Sequence, residues 1–449
     1  MASEERTKGQ IPPTLRQRVV EARTWLESSK KRGMALGLQG TKTVLDRLQL
    51  ELPQHIFHVA GSNGKGTACA VMAATLSLEG RANVLFTSPH VCRIEERVRR
   101  NGIPLSPKEF DEALLRVRRA ASGDDDTIDI ELTFFEITYL VAMVASVGSE
   151  VLILETGLGG RLDATRSGPA TVSLVTSVSC EHRDILGSDL PTIAREKAAI
   201  ARPGCPILIR EPEDQDVRNA MLEEATNAGN SMLQENREPA DVSFVQIDRD
   251  SGVLDEAVKL ATSVFGKAGF STDSISKARR FLRWPARMHS LSKSETASHP
   301  YLLDAAHNPS GLLRILPELE QFIRIHAPQN EEGPVWTLLF GTSPQHDLDE
   351  MLSPFHEMCH RIPPQKILLT RPLGGRYPGV ELEVLLGRKW TDEHPLCYPS
   401  ALQAIESLAV KPAKNVGLVV SLGSLYLQGN ILNAFDWASD ENLSLFAKH

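Results

Sequence analysis

The residues with the clearest chemical potential lie in the segment AGSNGKGT, at positions 60–67. It follows a short apolar run and precedes a helix-like run that ends at Gly80, so a glycine-rich turn joins a predicted strand to a predicted helix. Glycines let backbone N–H groups approach phosphate oxygens, and a helix N-terminus favours negative charge. The Lys65 ammonium would neutralise terminal phosphates, and the Thr67 hydroxyl would bind Mg²⁺. The segment therefore predicts a phosphate-binding loop rather than an ordinary turn, with these members: Gly61, Ser62, Asn63, Gly64, Lys65, Gly66 and Thr67.

Two further polar side chains follow predicted strands. Glu155 ends the run VLILE, and His182 comes after the run TVSLVTS. The carboxyl ends of parallel strands border the crevice where such sheets bind ligands, and a carboxylate oxygen there suits Mg²⁺. A solvated strand end would explain Glu155 equally well when it is taken alone. Imidazole is an unusual ligand for a hard cation, so chemistry alone predicts that His182 is a base or a polar strand cap.

The elements that must position these residues follow an alternating pattern. Strand-like and helix-like segments alternate along the chain, which predicts an α/β fold with a P-loop-type, mostly parallel sheet flanked by helices. With 449 residues the chain exceeds one ordinary core. The polar segment 292–300 is the expected boundary region. We therefore expect an N-terminal domain over 1–295 and a smaller C-terminal α/β, Rossmann-like domain over 296–449.

Composition and charge argue against some classes of binding partner. The net charge of -8 argues against nucleic acid, because phosphate neutralisation needs a basic face. The N-terminus has no apolar signal region, and no apolar run approaches the length of a membrane helix. The 6 cysteines are scattered, as expected of reduced thiols. We expect a cytoplasmic monomer that binds small molecules, with neither a membrane nor nucleic acid as a partner.

The phosphate loop also resembles the corresponding loop of a known protein family. Its spacing is shorter than the usual phosphate-loop pattern, and Gly66 stands between the lysine and Thr67. In this form it resembles the loop of the Mur ligase superfamily, and specifically that of the folylpolyglutamate synthase and dihydrofolate synthase family. Further segments that resemble this family follow in the same order: LFTSPHVCRIEERVRRNGIPLS (85–106), ELTFFE (131–136), LETGLGGRLDATR (154–166), EHRDILG (181–187), AREKAAI (194–200), RWPAR (283–287), LLDAAHNP (302–309) and GSLYL (423–427).

The resemblance implies an activity and its cofactors. The expected enzyme is an ATP-dependent acid–amino-acid ligase that adds L-glutamate to a folate-type carboxylate (dihydropteroate, tetrahydrofolate or both) through an acyl phosphate. The implied cofactors are ATP and Mg²⁺, with a monovalent cation as an open addition. Two alternatives remain: a weak or inactive nucleotide-binding paralogue, and a Mur-type ligase with a different acceptor.

The resemblance also implies roles for individual residues. Thr67, Glu155 and His182 would hold the metal, and Lys197 would carry a carbamate that serves the same site. Arg287, Asp304 and Asn308 would lie at the nucleotide, with His307 at the reacting centre. The catalytic set implied in this way is Lys65, Glu155, His182, Lys197 and His307. The substrate set is Phe134, Phe135, Arg161, Asp163 and Ser424.

Three positions depart from the family pattern. Glu181 precedes His182 where the family commonly has aspartate, and Arg166 follows the GLGGRLDAT loop where asparagine is usual. His346 replaces the lysine of an Asp-Lys-Asp run. These changes motivate the alternative of a weak paralogue, while the phosphate loop and Glu155 keep the family pattern.

Overall fold

A computed structural model describes residues 14–33, 37–122, 129–231, 238–344, 348–375, 378–390, 394–409 and 416–446. In this part of the chain the first sheet consists of β1 (His55–Ala60), β2 (Asn83–Phe86), β3 (Val98–Arg100), β4 (Ile103–Pro104), β5 (Val151–Glu155), β6 (Val172–Val175), β7 (Pro206–Arg210) and β8 (Asp241–Val245). The strand order is β4-β3-β2-β5-β1-β6-β7-β8. The neighbouring strands β2, β5, β1, β6, β7 and β8 pair in parallel, while β3 and β4 add an antiparallel edge beside β2.

Helices cover both faces of this sheet. They are α1 (Leu15–Ser28), α2 (Gln39–Leu48), α3 (Lys65–Leu78), α4 (Pro107–Ser122), α5 (Phe134–Ala145), α6 (Arg183–Leu186), α7 (Leu190–Ala198), α8 (Gln215–Ser231), α9 (Val253–Ala268) and α10 (Ile275–Phe281), with 3₁₀ segments at Ser29–Arg32, Ile94–Arg97 and Ala164–Ser167. One core joins α3 to Phe57 and Phe265, and a second joins α5 to Phe86 and Leu114. The central strands are aliphatic on both faces because each face is buried against helices.

The register of the central strands places their ends together. Val59 of β1 lies opposite Glu155 of β5, and Ala60 lies opposite Val175 of β6. The three parallel strands therefore end at one edge of the sheet. The phosphate loop, Glu155 and the segment after β6 all emerge there, at the edge where such sheets bind ligands.

The second sheet consists of β9 (His289–Leu291), β10 (Tyr301–Leu303), β13 (Trp336–Phe340), β14 (Lys366–Thr370), β15 (Leu396–Tyr398) and β16 (Leu418–Leu422), and a small hairpin is formed by β11 (Gln329–Asn330) and β12 (Gly333–Pro334). Its order is β15-β14-β13-β16-β10-β9, with only β9 antiparallel to its neighbour. The accompanying helices are α11 (Lys293–Thr296), α12 (Pro309–His326), α13 (Leu348–Arg361), α14 (Leu382–Leu386), α15 (Ala401–Ala409) and α16 (Leu425–Ala434). This unit has cores of its own on both sheet faces.

The predicted fold class is confirmed: a large, mostly parallel sheet flanked by helices is followed by a second α/β sheet. The division at 295/296 stays a prediction. The strand β9 precedes that point and yet belongs to the second sheet, so sheet membership favours a boundary before His289. Among the helices that the structure describes, none has the length and apolar character required to cross a bilayer.

Candidate active site

The phosphate loop has a backbone that requires its glycines. Gly61 has φ +141° and packs so closely that an added Cβ would lie 1.9 Å from Oγ1 of Thr176. Gly64 has φ +85°, in the region that L residues rarely adopt, and directly precedes α3. The loop therefore turns sharply from β1 into the helix N-terminus, which leaves backbone N–H groups free to bind an anion.

Hydrogen bonds hold the loop against the segment after β6. The Ser62 N–H donates to the Ser177 carbonyl at 2.7 Å, and the Thr176 hydroxyl donates to the Asn63 carbonyl at 2.8 Å. The Lys65 ammonium donates to the carbonyls of Gly61 at 2.8 Å and Ser62 at 3.0 Å. Lys65 is thus folded over the mouth of the loop, where its charge would meet a terminal phosphate.

Glu155 is a buried carboxylate beside this loop. Its Oε2 accepts the Ser88 N–H at 3.0 Å, and a Cβ placed on Gly66 would lie 3.4 Å from its Oε1. Burial raises the pKa of Glu155, while the charges of Lys65 and Arg287 and the Ser88 hydrogen bond oppose that rise. In the described part of the chain Glu155 forms no ion pair with a Lys or Arg side chain. Its charge is therefore incompletely compensated by the protein.

These features fit Mg²⁺. Glu155 and Thr67 both offer oxygen, the donor that Mg²⁺ prefers, and Mg²⁺ is commonly held by one or two protein oxygens together with phosphates and water. No cluster of three or more His, Cys, Asp and Glu side chains suited to a metal occurs in the described residues.

A buried ion pair lies on the other side of the phosphate loop. The Lys197 ammonium lies 2.8 Å from Oε1 of Glu181, and the Lys197 side chain is 1% exposed. Burial opposes ionisation of Glu181, but Lys197 and Lys65 outweigh it and lower its pKa to about 2. Lys197 therefore has the partner expected of an unmodified ammonium. The resemblance implies a carbamate instead, and the mass of the peptide that contains Lys197 decides between the two forms.

His182 follows β6 of the first sheet, and His307 follows β10 of the second sheet. We call the space between the two α/β units, where these histidines lie, the cleft. His182 has φ +48° and is exposed at the start of α6, after the strand end at β6. His307 is accessible within the cleft, and its Nδ1 lies 2.8 Å from the Ala305 carbonyl. Because a carbonyl only accepts, this contact assigns the proton to Nδ1 and leaves Nε2 as an acceptor. Enclosure in the cleft lowers the pKa of His307, and Arg287 lowers it further.

Asp304 and Asn308 organise the second side of the cleft through backbone contacts. Asp304 accepts the N–H groups of Met288 and Ala306, each at 2.8 Å. Asn308 caps α12 by accepting the Gly311 N–H at 2.6 Å, and its amide also donates to Oδ1 of Asn63 at 3.3 Å. The start of α12 is thereby connected directly to the phosphate loop.

A cavity of about 430 Å³ adjoins the phosphate site. Phe134, Phe135 and Asp163 of the predicted substrate set line it. Asp163 holds the backbone of the cavity wall in place, because Oδ2 of Asp163 accepts the N–H groups of Gly157 and Leu158 at 3.0 and 2.9 Å. The two phenylalanines offer flat apolar surface to an aromatic ligand.

Basic groups that sequence reasoning missed also line this cavity. Arg97 and Lys30 lie 4.9 and 5.0 Å from the ring centre of Phe134. Arg97 donates from Nε to Nδ1 of His90 at 3.0 Å; burial and this arginine lower the pKa of His90 to about 3. Burial lowers the pKa of Arg97 to about 10, so it stays charged at neutral pH. In the described residues Arg97 forms no ion pair, which leaves its charge available to a ligand carboxylate.

Two members of the predicted substrate set lie outside the cavity lining. Arg161 pairs with Glu196 at 2.7 Å and Glu224 at 3.0 Å. Ser424 is 3% exposed and caps α16 by accepting the Tyr426 N–H at 3.2 Å. The neighbouring Tyr426, rather than Ser424, lines the cavity.

The departures from the family pattern have separate consequences. Glu181 forms the ion pair with Lys197 described above. Arg166 donates from Nε to the Ala199 carbonyl at 2.7 Å and so binds backbone beside α7. His346 lies outside the described residues.

Comparisons with known proteins agree with these features. No protein-family model matches the chain. The dihydrofolate synthase/folylpolyglutamate synthase of Escherichia coli strain K12 is 40% identical over 193 residues, covering 42% of this chain and 44% of that protein. The match thus spans less than half of the length of that relative. The protein of the same description from Bacillus subtilis strain 168 is 28% identical over 330 residues, covering 67% of this chain and 76% of that protein.

A solved structure extends the likeness to nearly the whole chain. The bifunctional folylpolyglutamate synthase/dihydrofolate synthase of Yersinia pestis, complexed with AMPPNP and Mn ion, has a TM-score of 0.74 at 25% identity and covers 95% of this chain and 100% of that chain. The fold and these similarities place the chain with proteins of the Mur ligase superfamily. Within it, the chain is similar to folylpolyglutamate synthase/dihydrofolate synthases, the family that its sequence resembles.

Proposed function

We propose that this protein is an ATP-dependent ligase that joins L-glutamate to a folate-type acid. The observation that best supports this proposal is that the cavity and the phosphate site share a wall. Ser88 lines the cavity that contains Phe134 and Phe135, which we call the aromatic cavity. The Ser88 N–H donates to Glu155 beside the phosphate loop. An acid held in the cavity by Arg97 would therefore present its carboxylate next to the terminal phosphate. The family, whose members are named for these reactions, supports the same conclusion.

The first step would activate the acid. Its carboxylate oxygen attacks the γ-phosphorus of ATP, the bond to ADP breaks, and an acyl phosphate forms. Lys65 and Arg287, both within electrostatic range of Glu155, would neutralise charge on the transferring phosphoryl oxygens. Glu155 and Thr67, joined by His182 as the resemblance implies, would hold Mg²⁺. That ion, when bound, supplies further charge neutralisation.

The second step would form the amide. The amine of glutamate attacks the acyl carbon, phosphate leaves, and the amine loses a proton. His307 would accept that proton, since its Nδ1–H is donated to the Ala305 carbonyl and its lowered pKa keeps Nε2 unprotonated at neutral pH. Residues from both sheets surround the reacting groups, so closure of the cleft would exclude water from the acyl phosphate.

We also propose that the protein acts as a cytoplasmic monomer. The 6 cysteines are scattered along the sequence, as expected of thiols in a reducing compartment. The site draws its groups from both α/β units of one chain and needs no second copy. Gel filtration with light scattering at working concentration tests the monomer, and a dimer mass would contradict it.

The test of the function is a substrate panel. Purified protein is incubated with ATP, Mg²⁺ and glutamate, together with dihydropteroate, tetrahydrofolate or a peptidoglycan precursor, and both the released phosphate and the mass of the acid are measured. We expect phosphate release that depends on acid and glutamate, with a product heavier by one glutamyl residue. ATP binding without acid-dependent release would favour the weak paralogue. Release with a peptidoglycan precursor alone would favour the Mur-type ligase.

A further inference from the structure

The aromatic cavity has a wall contributed by the C-terminal α/β unit. Gly374 and Gly375, from the loop after β14, line it together with Tyr426 of α16. Gly374 has φ +79°, so the loop takes a turn that glycine favours. The other lining groups, including Phe134 and Arg97, come from the N-terminal unit. The shape of the cavity therefore depends on where this loop is held.

Asn430 holds the loop through both of its amide atoms. Its Oδ1 accepts the Leu373 N–H at 2.8 Å, and its Nδ2 donates to the Leu373 carbonyl at 3.2 Å. Leu373 directly precedes Gly374 and its side chain is 52% exposed, so apolar burial contributes little to fixing this point of the chain. The paired hydrogen bonds therefore restrain the loop beside the cavity.

The same face of α16 contacts the N-terminal unit. Tyr426, Gly429 and Asn430 are spaced i, i+3 and i+4, so they lie on one face of the helix. A Cβ on Gly429 would lie 2.1 Å from the Val91 carbonyl oxygen, which shows how closely α16 approaches that backbone. Val91 itself is fixed by Glu96, whose Oε2 accepts its N–H at 3.2 Å. The position of α16 is thereby tied to the segment that contains His90.

We propose that Asn430 is a positioning residue that holds the Leu373–Gly375 loop as one wall of the acid-binding cavity and so sets the affinity for the folate-type acid. This inference rests on the proposed function, because it assigns the cavity to the acid substrate. Asn430 acts through the loop and takes no part in the chemistry. Its removal therefore affects acid binding and leaves nucleotide binding and the chemical step unchanged.

The experiment compares the unaltered protein with Asn430→Ala. We expect the KM for dihydropteroate to rise about three- to tenfold, the effect of one to two hydrogen bonds, with kcat and the KM for ATP within about twofold. The matched control is Asn433→Ala, an exposed asparagine near the end of the same helix, which should change neither KM. An unchanged KM for dihydropteroate, or a rise in both KM values with loss of kcat, would overturn the proposal.

Calorimetric titration of dihydropteroate in the presence of ADP separates this inference from the proposed function. If the unaltered protein binds dihydropteroate but releases no phosphate with glutamate, the ligase assignment fails. The role of Asn430 then stands or falls on the dissociation constant, which should rise by the same factor in Asn430→Ala. An Asn430→Ala protein that releases phosphate and binds dihydropteroate as well as the unaltered protein removes the inference and leaves the ligase assignment intact.

Discussion

Ser88 and Glu155 are joined by a hydrogen bond of 3.0 Å from the backbone of one to the buried carboxylate of the other. This bond places a wall of the aromatic cavity one residue away from the phosphate site. The two halves of the proposed reaction, acid binding and phosphoryl transfer, are therefore physically adjacent.

Removing the charge of Glu155 should abolish most activity without harming the fold. We expect Glu155→Gln to lower kcat on the order of 10²–10³-fold, because a metal ligand contributes several kcal/mol to charge neutralisation. Burial raises the pKa of this carboxyl, so its charge is unfavourable in the folded protein and Tm should stay equal or rise. Steady-state phosphate release and thermal melting are the measurements. Glu150→Gln, at the half-exposed ion pair with Arg81, is the matched control. Full activity of Glu155→Gln would contradict the assignment.

Arg97 should determine affinity for the acid. We expect Arg97→Met to raise the KM for dihydropteroate about 10- to 100-fold, the effect of losing a charged hydrogen bond, while the KM for ATP changes little. The readout is initial velocity against dihydropteroate concentration. Arg118→Ala removes an exposed pair with Asp129 and serves as the control. An increase confined to the KM for ATP would show that Arg97 serves the nucleotide instead.

The pH dependence should report His307. The pKa of His307 lies below the usual 6.5 because of enclosure and the charge of Arg287. The ring therefore stays neutral as the pH falls to about 6.5. Protonation at lower pH would remove the acceptor at Nε2, so kcat should decline only below about pH 6.5. In His307→Gln this acid limb should disappear along with most of the rate. A limb centred above pH 7 that persists in His307→Gln would assign the titration to another group.

Lys197 should be unmodified in the isolated protein. Carbamylation would replace an ammonium by an anion within reach of Glu181, and two buried like charges are strongly unfavourable. We expect the intact peptide containing Lys197 to show no added mass after gentle handling in bicarbonate. Added mass of one carbon dioxide would instead support the modification implied by the resemblance. Glu181→Gln, which removes the competing charge, is the informative variant, since it should make modification easier.

The sequence was sufficient to predict the elements whose signal is local. Gly61 and Gly64 indicate the phosphate loop because each has a positive φ that other residues rarely adopt. The aliphatic run that ends at Glu155 predicts a buried strand with a carboxylate at its end, and the structure contains that strand. Alternation of such runs predicts the parallel sheet in the same way.

The cavity was harder to predict because its members come together only through tertiary contacts. Arg97 stands in an arginine-rich segment in which nothing local distinguishes it from Arg93 or Arg100. Arg97 differs from them in being buried beside Phe134 of α5 and His90, and these contacts form only when distant segments pack together. Arg161 illustrates the reverse case, since it adjoins the glycine loop in sequence yet pairs with Glu196. Sequence adjacency was a poor guide to both residues.

The central claim is that the acid is activated as an acyl phosphate in the cavity beside Glu155. The direct test uses dihydropteroate labelled with ¹⁸O in its carboxylate, together with ATP, Mg²⁺ and glutamate, and measures the mass of the released phosphate. The proposed route transfers one carboxylate oxygen to phosphorus, so the phosphate should carry one ¹⁸O for each amide formed. Amide formation with unlabelled phosphate would contradict the account.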